Sequence, residues 1–399
     1  MIRKTGKREA FTLCERSCTS ASRAYQTLRS ALADPRAAGE RLAAKGKPIV
    51  WTLGDDVPEE IILACGMTPV RLFGWYGPRP NAEKYLEASF GALWRGYFET
   101  VAGGHLGEAP QTLVLSNSSD LIQKLYYYFL QLGRLEPERA MPRLYYVDYS
   151  LMVKDFSAQE RNVRESRDFL RAMEELSGRQ ADGQALEDAV ALCNRHRQAL
   201  RALEPLRRAG RLLGSEALTA AAGSLLLEKQ EAAALLEQLA ADAGTWPETA
   251  LMPVLYTGSA QETPEVYRLM EQAGLNVVAE DKVPGWRYCD RDVDGATDAV
   301  TAVTLRYHLR FPSSERGFVA ERADCIPALL DRCGARGLVV FMNRNDESYI
   351  WDLPAQRKVL SGRGIPVLTV EDQDWPLKQP ELLTEQFSAF ARQGGADNG

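Results

Sequence analysis

Eight short runs of apolar residues, rich in β-branched and aromatic side chains, recur along the 399-residue chain. Most runs are continuous rather than alternating, which is typical of strands buried on both faces of a parallel sheet. They fall at 48–53, 69–75, 112–117, 143–148, 251–258, 275–280, 338–343 and 366–371. Helical patterns lie between many of them, so the sequence predicts strand–helix–strand crossovers and a doubly wound α/β fold.

The predicted strands form two sets of four, separated by a long charged segment without strand signals. In that segment, roughly 159–243, Leu and Ala recur at helical spacing, and glycines near 178–183 and 210–215 divide it into several helices. We therefore predict two mainly parallel four-stranded domains joined by helices. The predicted divisions are an N-terminal helical arm at 1–45, a first α/β domain at 46–158, a helical connector at 159–245, a second α/β domain at 246–392 and a disordered tail at 393–399.

The charge balance and the apolar pattern exclude several classes of protein. Acidic residues outnumber basic ones by 54 to 48, a net charge of −6, whereas a dedicated nucleic-acid binder normally carries a basic face. No apolar run approaches the ~18 residues that a membrane span needs, and the basic N-terminus lacks the apolar stretch of a secretory signal. We expect a cytoplasmic protein with neither a nucleic-acid nor a membrane partner.

Seven cysteines are scattered along the chain without a CxxC pair, so neither a zinc ribbon nor a thioredoxin-type dithiol is predicted. Cys14 and Cys18 are four residues apart on a predicted helix, close enough to share a metal ion. Two thiolates are too few for a structural metal site, so free thiols are the alternative interpretation.

Candidate chemistry concentrates at the predicted carboxyl ends of strands, where open parallel sheets bind their ligands. Three such ends are small and polar: SNSSD at 116–120, GSA at 258–260 and NRND at 343–346. Helix capping explains each loop taken alone, whereas the three together favour a cleft between the halves. No GxGxxG follows the first strand, and GxxxxGK[ST], GxSxG and HExxH are absent. The arginine-rich stretch around His196 is predicted as a solvated helix face.

Three stretches together resemble the 2-hydroxyacyl-CoA dehydratase and benzoyl-CoA reductase subunit family. They are PEEIILACGMTPV at 58–70, VLSNSSD at 114–120 ahead of an aromatic helix, and VVFMNRND at 339–346, followed by WDLP at 351–354 and GIPV at 364–367. Between them GS at 258–259, GLNVV at 274–278 and GWR at 285–287 fall in the family's order. The resemblance covers essentially residues 45–375 and agrees with the organisation predicted from the pattern.

The resemblance also implies a cofactor that this sequence is poorly equipped to hold. Members of the family carry a 4Fe–4S cluster on three cysteines, one from each of three loops. At the corresponding positions this chain has Ser89, Ser119 and Asn345. Because iron in such clusters needs soft thiolate ligands, we expect no metal or cofactor on this chain at those positions and a 4Fe–4S cluster only on a partner subunit.

The resemblance implies a working pair of related subunits, one commonly holding the substrate and the other relaying an electron from an ATP-dependent activase. The first hypothesis is therefore a cluster-free subunit of a dehydratase-like (lyase) or aromatic acyl-CoA reductase-like complex of anaerobic metabolism. It binds acyl-CoA or completes the interface with a cluster-bearing homologous subunit. The alternatives are a non-catalytic scaffold or acyl-CoA sensor, and a non-redox acyl-CoA enzyme using Ser119, Asp120 or Glu347 in acid–base roles.

We place the predicted substrate site in the cleft between the halves and expect a polar, roughly neutral pocket. Arg287 supplies a cation for a phosphate or carboxylate there, or a surface salt bridge. The predicted lining comprises Ser89, Asn117, Ser118, Ser119, Gly258, Ser259, Arg287 and Asn345.

A heteromer, or failing that a homodimer, is predicted from the consecutive Tyr126, Tyr127 and Tyr128. One helix face cannot bury three consecutive side chains, and Tyr is common at interfaces. The alternative is two tyrosines in the core and one merely exposed.

Overall fold

The computed structural model describes residues 16–107, 111–152, 155–282, 284–295, 298–310, 317–346 and 349–396. It contains eight strands, each within two residues of a predicted run at its start. They are β1 Ile49–Leu53, β2 Thr68–Arg71, β3 Thr112–Ser116, β4 Arg143–Val147, β5 Met252–Gly258, β6 Leu275–Glu280, β7 Gly337–Asn343 and β8 Val367–Gln373.

The strands form two four-stranded sheets with the same order of connections. The first sheet runs β2-β1-β3-β4 and the second runs β6-β5-β7-β8. Every pairing is parallel; in the first sheet Val50 of β1 lies opposite Pro69 of β2 and Thr112 of β3. No strand occurs between β4 and β5 in the part of the chain that the structure describes. The predicted fold class is therefore confirmed.

Helices cover the faces of both sheets and fill the segment between them. They are α1 Ser17–Ala21, α2 Arg23–Ala33, α3 Pro35–Ala44, α4 Glu59–Ala64, α5 Pro80–Tyr85, α6 Ala92–Ala102, α7 Asp120–Leu135, α8 Phe156–Ser177, α9 Gly183–Arg201, α10 Glu204–Arg208, α11 Gly214–Ser224, α12 Lys229–Ala243, α13 Glu265–Gln272, α14 Ala299–His308, α15 Val319–Cys333, α16 Leu353–Leu360 and α17 Pro380–Ala396, with a 3-10 helix at Trp286–Tyr288.

The central strands are buried on both faces, which explains why their apolar runs are continuous. In β1, Trp51 and Leu53 join one apolar cluster while Val50 joins another on the opposite face. In β5, Tyr256 and Leu255 divide in the same way between two clusters of the second half. Successive side chains of a strand point to opposite faces, so both faces must be apolar when helices cover both.

The N-terminal helices pack into the interior rather than standing apart as an arm. Tyr25 and Leu28 of α2 are fully buried in the cluster that also holds Leu226 and Leu236 of the helical segment. At Gly223 of α11, an added Cβ would overlap the carbonyl oxygen of Leu28. The glycine thus permits the close approach of α2 and α11.

The prediction of a solvated helix face around His196 holds for Arg195 and Arg208, which are exposed, but it is wrong for His196, Arg197 and Arg207. His196 is buried, with Nε2 3.0 Å from Ser224 Oγ, and burial together with Lys229 and Arg197 lowers its pKa well below the usual range. Arg197 is paired with the buried Glu60, and Arg207 Nη2 lies 2.5 Å from Glu280 Oε2. These arginines are charged and yet internal because acidic partners on other elements neutralise them, which helical spacing alone does not reveal.

Two further features differ from the sequence expectations. Val303 and Tyr307 of α14 belong to an apolar cluster of the first sheet, although α14 follows β6 in the chain. Helix α17 is anchored by the buried Phe387 and Phe390 and continues to Ala396, past the predicted start of the tail at 393. Residues 397–399 lie outside the described residues, and so does Cys14, which was considered as a metal ligand. The apolar anchor outweighs the low helix propensity of the Gly-Gly pair.

Candidate functional site

The loops that follow the central strands of both sheets gather around one internal cavity. Each sheet has a topological switch point, at which successive strands begin to be added on the other side of the first central strand. It lies between β1 and β3 in the first sheet and between β5 and β7 in the second. Such switch points are where doubly wound proteins bind ligands. The cavity, of about 60 Å³, is enough for a few water molecules. We call it the inner cavity; Asp55, Ser118 and Ser119 line it from the first half, and Ala260, Asp346 and Tyr349 line it from the second.

A glycine ends the first central strand of each half and makes the turn into the cavity. Gly54 has a φ of +111° and Gly258 a φ of +109°. An added Cβ at Gly54 would overlap the Ser116 hydroxyl, and one at Gly258 would overlap the carbonyl oxygen of Phe341. Only glycine combines this φ with so close a neighbour.

Hydroxyl groups hold the loops of the first half in place. Ser118 Oγ accepts a hydrogen bond of 2.9 Å from the backbone N–H of Asp55 and lies 3.3 Å from Ser116 Oγ. Ser119 caps α7 by accepting from the N–H of Leu121 at 3.2 Å. Ser119 therefore both caps the helix and lines the cavity, which joins the two interpretations weighed from the sequence.

Two buried arginines, Arg287 and Arg310, and the partly buried Arg71 lie around Asp55. Arg287 Nε lies 3.4 Å from Asp55 Oδ2, and Arg71 Nη2 lies 3.8 Å from Asp55 Oδ1. Arg310 donates to the Asp55 carbonyl and also pairs with Asp56. Burial alone would raise the pKa of Asp55, but Arg310, Arg287 and Arg71 outweigh it and lower that pKa.

A lysine from the second half enters the same cavity. Lys282 follows β6, lines the cavity and is almost fully buried. Its Nζ lies 3.9 Å from the ring centre of Tyr349 and 3.7 Å from Asp281 Oδ1. The ring offers a favourable face for the cation, while the distance to the carboxylate is too long for a hydrogen bond.

Asp346 is the carboxylate that the second half contributes. Ser259 Oγ donates to Asp346 Oδ2 at 2.6 Å and accepts from the N–H of Asn343 at 2.9 Å. Burial raises the pKa of Asp346, and the opposing effects of the Ser259 hydrogen bond and of Lys282 do not cancel that rise. Asp346 is thus placed to hold a proton at higher pH than an ordinary aspartate.

The structure brings some of the predicted lining residues together and separates others. Ser118, Ser119 and Arg287 line the cavity, and Ser259 lies behind Asp346. Asn117 instead donates to Asp148 Oδ1 at 2.9 Å, at the end of the neighbouring strand.

The loops of Ser89 and Asn345 meet outside the cavity. Asn345 Nδ2 donates to the carbonyl of Ala88 at 3.0 Å, and both Ser89 and Asn345 are exposed. The three loops of the resemblance therefore converge, but two of the three side chains lie at the surface.

The pocket is more charged than the sequence analysis indicated. Against the carboxylates of Asp55 and Asp346, the cavity is lined by Arg71, Lys282 and Arg287. The expectation of a roughly neutral pocket considered only hydroxyl and amide replacements. The residues that the sequence reasoning missed share one signal, because each lies at the carboxyl end of a strand. Asp55 is the second residue after β1, Arg71 ends β2 and Lys282 is the second residue after β6.

The groups around the inner cavity do not fit a 4Fe–4S cluster. None of the cysteines that the structure describes lines the cavity, and in those residues no three His, Cys, Asp or Glu side chains are arranged to hold a metal ion. Hydroxyl, amide and ammonium groups are poor ligands for iron of this type.

Two further spaces lead outward from the inner cavity. A small space of about 10 Å³ shares Leu93 and Ala260 with it, and this space in turn shares Glu262 with a surface groove of about 480 Å³. Trp75 lines the groove and stacks on His105, with ring centres 3.8 Å apart. We call this surface space the outer groove.

Glu262 lies between the small space and the outer groove and lines both. It accepts hydrogen bonds from the hydroxyls of Tyr76 and Tyr97 and, at 2.9 Å, from the N–H of Gly74. Burial raises the pKa of Glu262 despite these three donors. A second carboxyl group with a raised pKa therefore lies near the inner cavity.

Two parallel α/β halves that face each other across a polar cavity at their switch points define a two-lobed α/β subunit. In agreement with that class, residues 56–391 match the family of the 2-hydroxyglutaryl-CoA dehydratase D-component, so the chain belongs to that family. It is also similar to the (R)-phenyllactyl-CoA dehydratase beta subunit of Clostridium sporogenes, with 19% identity over 351 residues that cover 84% of this chain and 88% of that one. The family that the sequence resembled is thereby confirmed. Among the described residues, no helix is both long and apolar enough to cross a membrane.

Proposed function

We propose that this chain is a cluster-free subunit of an acyl-CoA dehydratase-like complex. In this proposal it binds an acyl-CoA in the cleft between its halves and completes an interface with a cluster-bearing homologous subunit. The observation that carries the proposal is the convergence of three loops that bear Ser89, Ser119 and Asn345 where relatives of the family bear cysteines. In this chain the loops lie together although none of these three positions is a cysteine.

The inner cavity, the small space and the outer groove adjoin one another, and together they suit an elongated ligand. The outer groove, of about 480 Å³, is within the range of small-molecule sites, and Arg29 and Arg268 on its lining suit phosphates. The inner cavity, of about 60 Å³, limits the acyl end to a short group. A thioester chain has the required shape, with a bulky anionic end and a narrow neutral end.

The binding test is calorimetric titration of acyl-CoAs of increasing chain length into the full chain. Ser119→Leu should weaken binding of short acyl-CoAs at least about tenfold, because the larger side chain fills the cavity that Ser119 lines. Ser30→Leu, an exposed position on α2, is the matched control and should bind as the unchanged protein does. Equal affinity in all three proteins would place the acyl end elsewhere.

The cluster-free part of the proposal has its own test. Protein purified without oxygen, alone and with a cysteine-bearing homologue, should carry iron and sulfide only in proportion to the homologue. Light scattering should show a complex of the two chains, in which the exposed Tyr127 is expected to be covered. Stoichiometric iron and sulfide on this chain alone would contradict the proposal, and so would a strict monomer under both conditions.

A second candidate function is supported by the raised pKa of Asp346. A carboxyl group that keeps its proton can donate it, so the cleft also suits non-redox proton transfer to an acyl-CoA. Of the residues first considered for that role, Ser119 and Asp120 begin α7, and Glu347 lies outside the described residues. Exchange of deuterium from solvent into a bound acyl-CoA, lost in Asp346→Asn, would favour this candidate over the first.

A further inference from the structure

We propose that the inner cavity is a binding site for a small anion of carboxylate or phosphate type, held chiefly by Lys282 and Arg287. The proposal goes beyond acyl-CoA binding, because it concerns a free oxyanion that binds to the cations of the cavity without a thioester. It requires neither the cluster nor a partner subunit. Its evidence is the charge balance, the unused hydrogen-bond donors and the size of the cavity.

The charged groups on the cavity lining itself are three cations, Arg71, Lys282 and Arg287, and two carboxylates, Asp55 and Asp346. Arg310 and Asp56 form one pair just behind the lining, and Lys282 lies near Asp281. Asp55 is shared between Arg287 and Arg71, so a single carboxylate faces two guanidinium groups.

Asp346 is the second carboxylate of the lining, and the rise in its pKa on burial reduces the negative charge that it adds at a given pH. Buried charge without a counter-charge is costly, so an oxyanion beside Lys282 would be stabilised there.

One cationic donor on the cavity lining lacks an acceptor in the described chain. The Lys282 side chain is 8% exposed, and the nearest described carboxylate oxygen lies 3.7 Å from its Nζ, beyond hydrogen-bonding distance. Arg287 is 2% exposed, and its Nε and Nη1 also have no acceptor among the described residues. Because these two nitrogens have almost no accessible surface, Arg287 contributes charge to the cavity, and Lys282 is the side chain that can donate to an acceptor in it.

The size of the cavity selects the kind of anion. About 60 Å³ holds a few water molecules or one compact oxyanion group, and it is far too small for a nucleotide. Ser118 and Ser119 add hydroxyl groups on the side opposite the second half. A carboxylate or a phosphate offers several acceptor oxygens to such a set of cationic and hydroxyl donors.

The test is the thermal stability and calorimetry of the full chain with phosphate or acetate, at ionic strength matched with chloride. Phosphate or acetate should raise the melting temperature above the chloride reference and bind with a stoichiometry of one. Lys282→Met keeps the volume of the side chain but removes its charge, and it should weaken that binding about tenfold or more. Lys378→Met, at a side chain that is 71% exposed, should change it by less than about twofold.

A second variant separates charge from shape. Arg287→Lys retains the cation near Asp55 and should keep part of the affinity, whereas Arg287→Met should lose it. Phosphate and acetate without effect beyond chloride, or equal binding to Lys282→Met, would overturn the proposal. A preference for one of the two anions identifies the chemistry of the natural ligand.

The two proposals fail separately. Acyl-CoA titrations on the same proteins report on the cleft as a thioester site, and phosphate titrations report on the cavity as an anion site. Anion binding without acyl-CoA binding would remove only the acyl-CoA part of the proposed function, and the reverse would remove only the anion site.

Discussion

Each half of the molecule contributes one carboxylate to the inner cavity, and the pKa values of the two are shifted in opposite directions. Asp55 follows β1, faces three arginines and has a lowered pKa, whereas Asp346 follows β7, accepts from Ser259 and has a raised pKa. The halves share strand order and a glycine turn at the same place. Similar backbones thus place different neighbours around equivalent ends, and the neighbours set the chemistry.

The comparison shows that the surroundings in the first half favour the ionised form of Asp55, whereas those in the second half shift Asp346 towards its protonated form. A carboxylate among guanidinium groups stays ionised and anchors them, while a buried carboxyl beside a hydroxyl tends to keep its proton. Pairs of carboxyl groups with divergent pKa values are a common arrangement in acid–base sites.

The largest expected effect comes from the two glycine turns, which test how alike the halves are. Gly258→Ala should destabilise the protein by about 3–5 kcal/mol, because a φ of +109° is strained for alanine and its Cβ meets a backbone carbonyl. Gly54→Ala should cost less, about 2 kcal/mol, because its Cβ meets the Ser116 side chain, which can rotate. Urea unfolding measures both.

Gly364→Ala is the matched control for these turns. Gly364 has a φ of +66° but no atom within 4 Å of an added Cβ, so only the backbone strain of about 1 kcal/mol is expected. If Gly258→Ala were as mild as this control, the close approach to Phe341 would not constrain the turn.

The next effect separates the two carboxylates. Asp55→Asn should lower the free energy of unfolding at pH 7 by about 3 kcal/mol, since it leaves Arg287 and Arg71 without their anion. Because the folded-state pKa of Asp55 is lowered from 3.8, its contribution is fully present above that value and is lost as the pH falls through the lowered pKa. The deficit of the variant should therefore shrink in acid.

Asp372→Asn provides the comparison for Asp55. Asp372 is also paired with an arginine, Arg344, but its side chain is 68% exposed, so the change should be within about 0.5 kcal/mol. Equal effects of the two substitutions would mean that Asp55 acts as an ordinary surface ion pair.

The strands were predictable because both faces of each sheet are covered, and this alone produces continuous apolar runs such as IVWTL in β1. The helical segment was predictable as helix, but the location of its charges was not. Arg197 and Arg207 follow the spacing of a solvated face, and only their distant partners Glu60 and Glu280 keep them inside. Arg197 and Glu60 are more than a hundred residues apart in the sequence. Like most tertiary contacts, their pairing therefore leaves no local pattern in the sequence.

The convergence of the strand-end loops was predictable, but the charge of the cavity they line was not. Strand ends and a family resemblance located Ser118, Ser119 and Arg287 at one cavity, as the structure has them. Lys282 and Asp55 were missed because a charged residue after a strand looks the same whether it faces solvent or a cavity. That distinction depends on the opposite half of the molecule.

The smallest expected effect concerns Asp346, whose stability contribution should have the opposite sign to that of Asp55. A carboxyl with a pKa raised above 3.8 binds its proton more tightly in the folded state than in the unfolded state, so stability falls as the pH rises from about 3.8 through the raised value. Asp346→Asn cannot ionise and escapes this loss. Its amide can still hydrogen-bond with Ser259, so at pH 4 the change should be below about 1 kcal/mol.

The comparison of two pH profiles is therefore the measurement that decides between the two carboxylates. Relative to the unchanged protein, Asp346→Asn should gain stability as the pH rises from 4 towards 8, while the deficit of Asp55→Asn should stay nearly constant over that range and shrink below about pH 3.8. Phosphate belongs in a second series, because an anion beside Lys282 would favour the neutral form of Asp346 further. If Asp346→Asn instead became less stable as the pH rose, Asp346 would be the ionised partner of Lys282, and the cavity would hold its charge balance without an added anion.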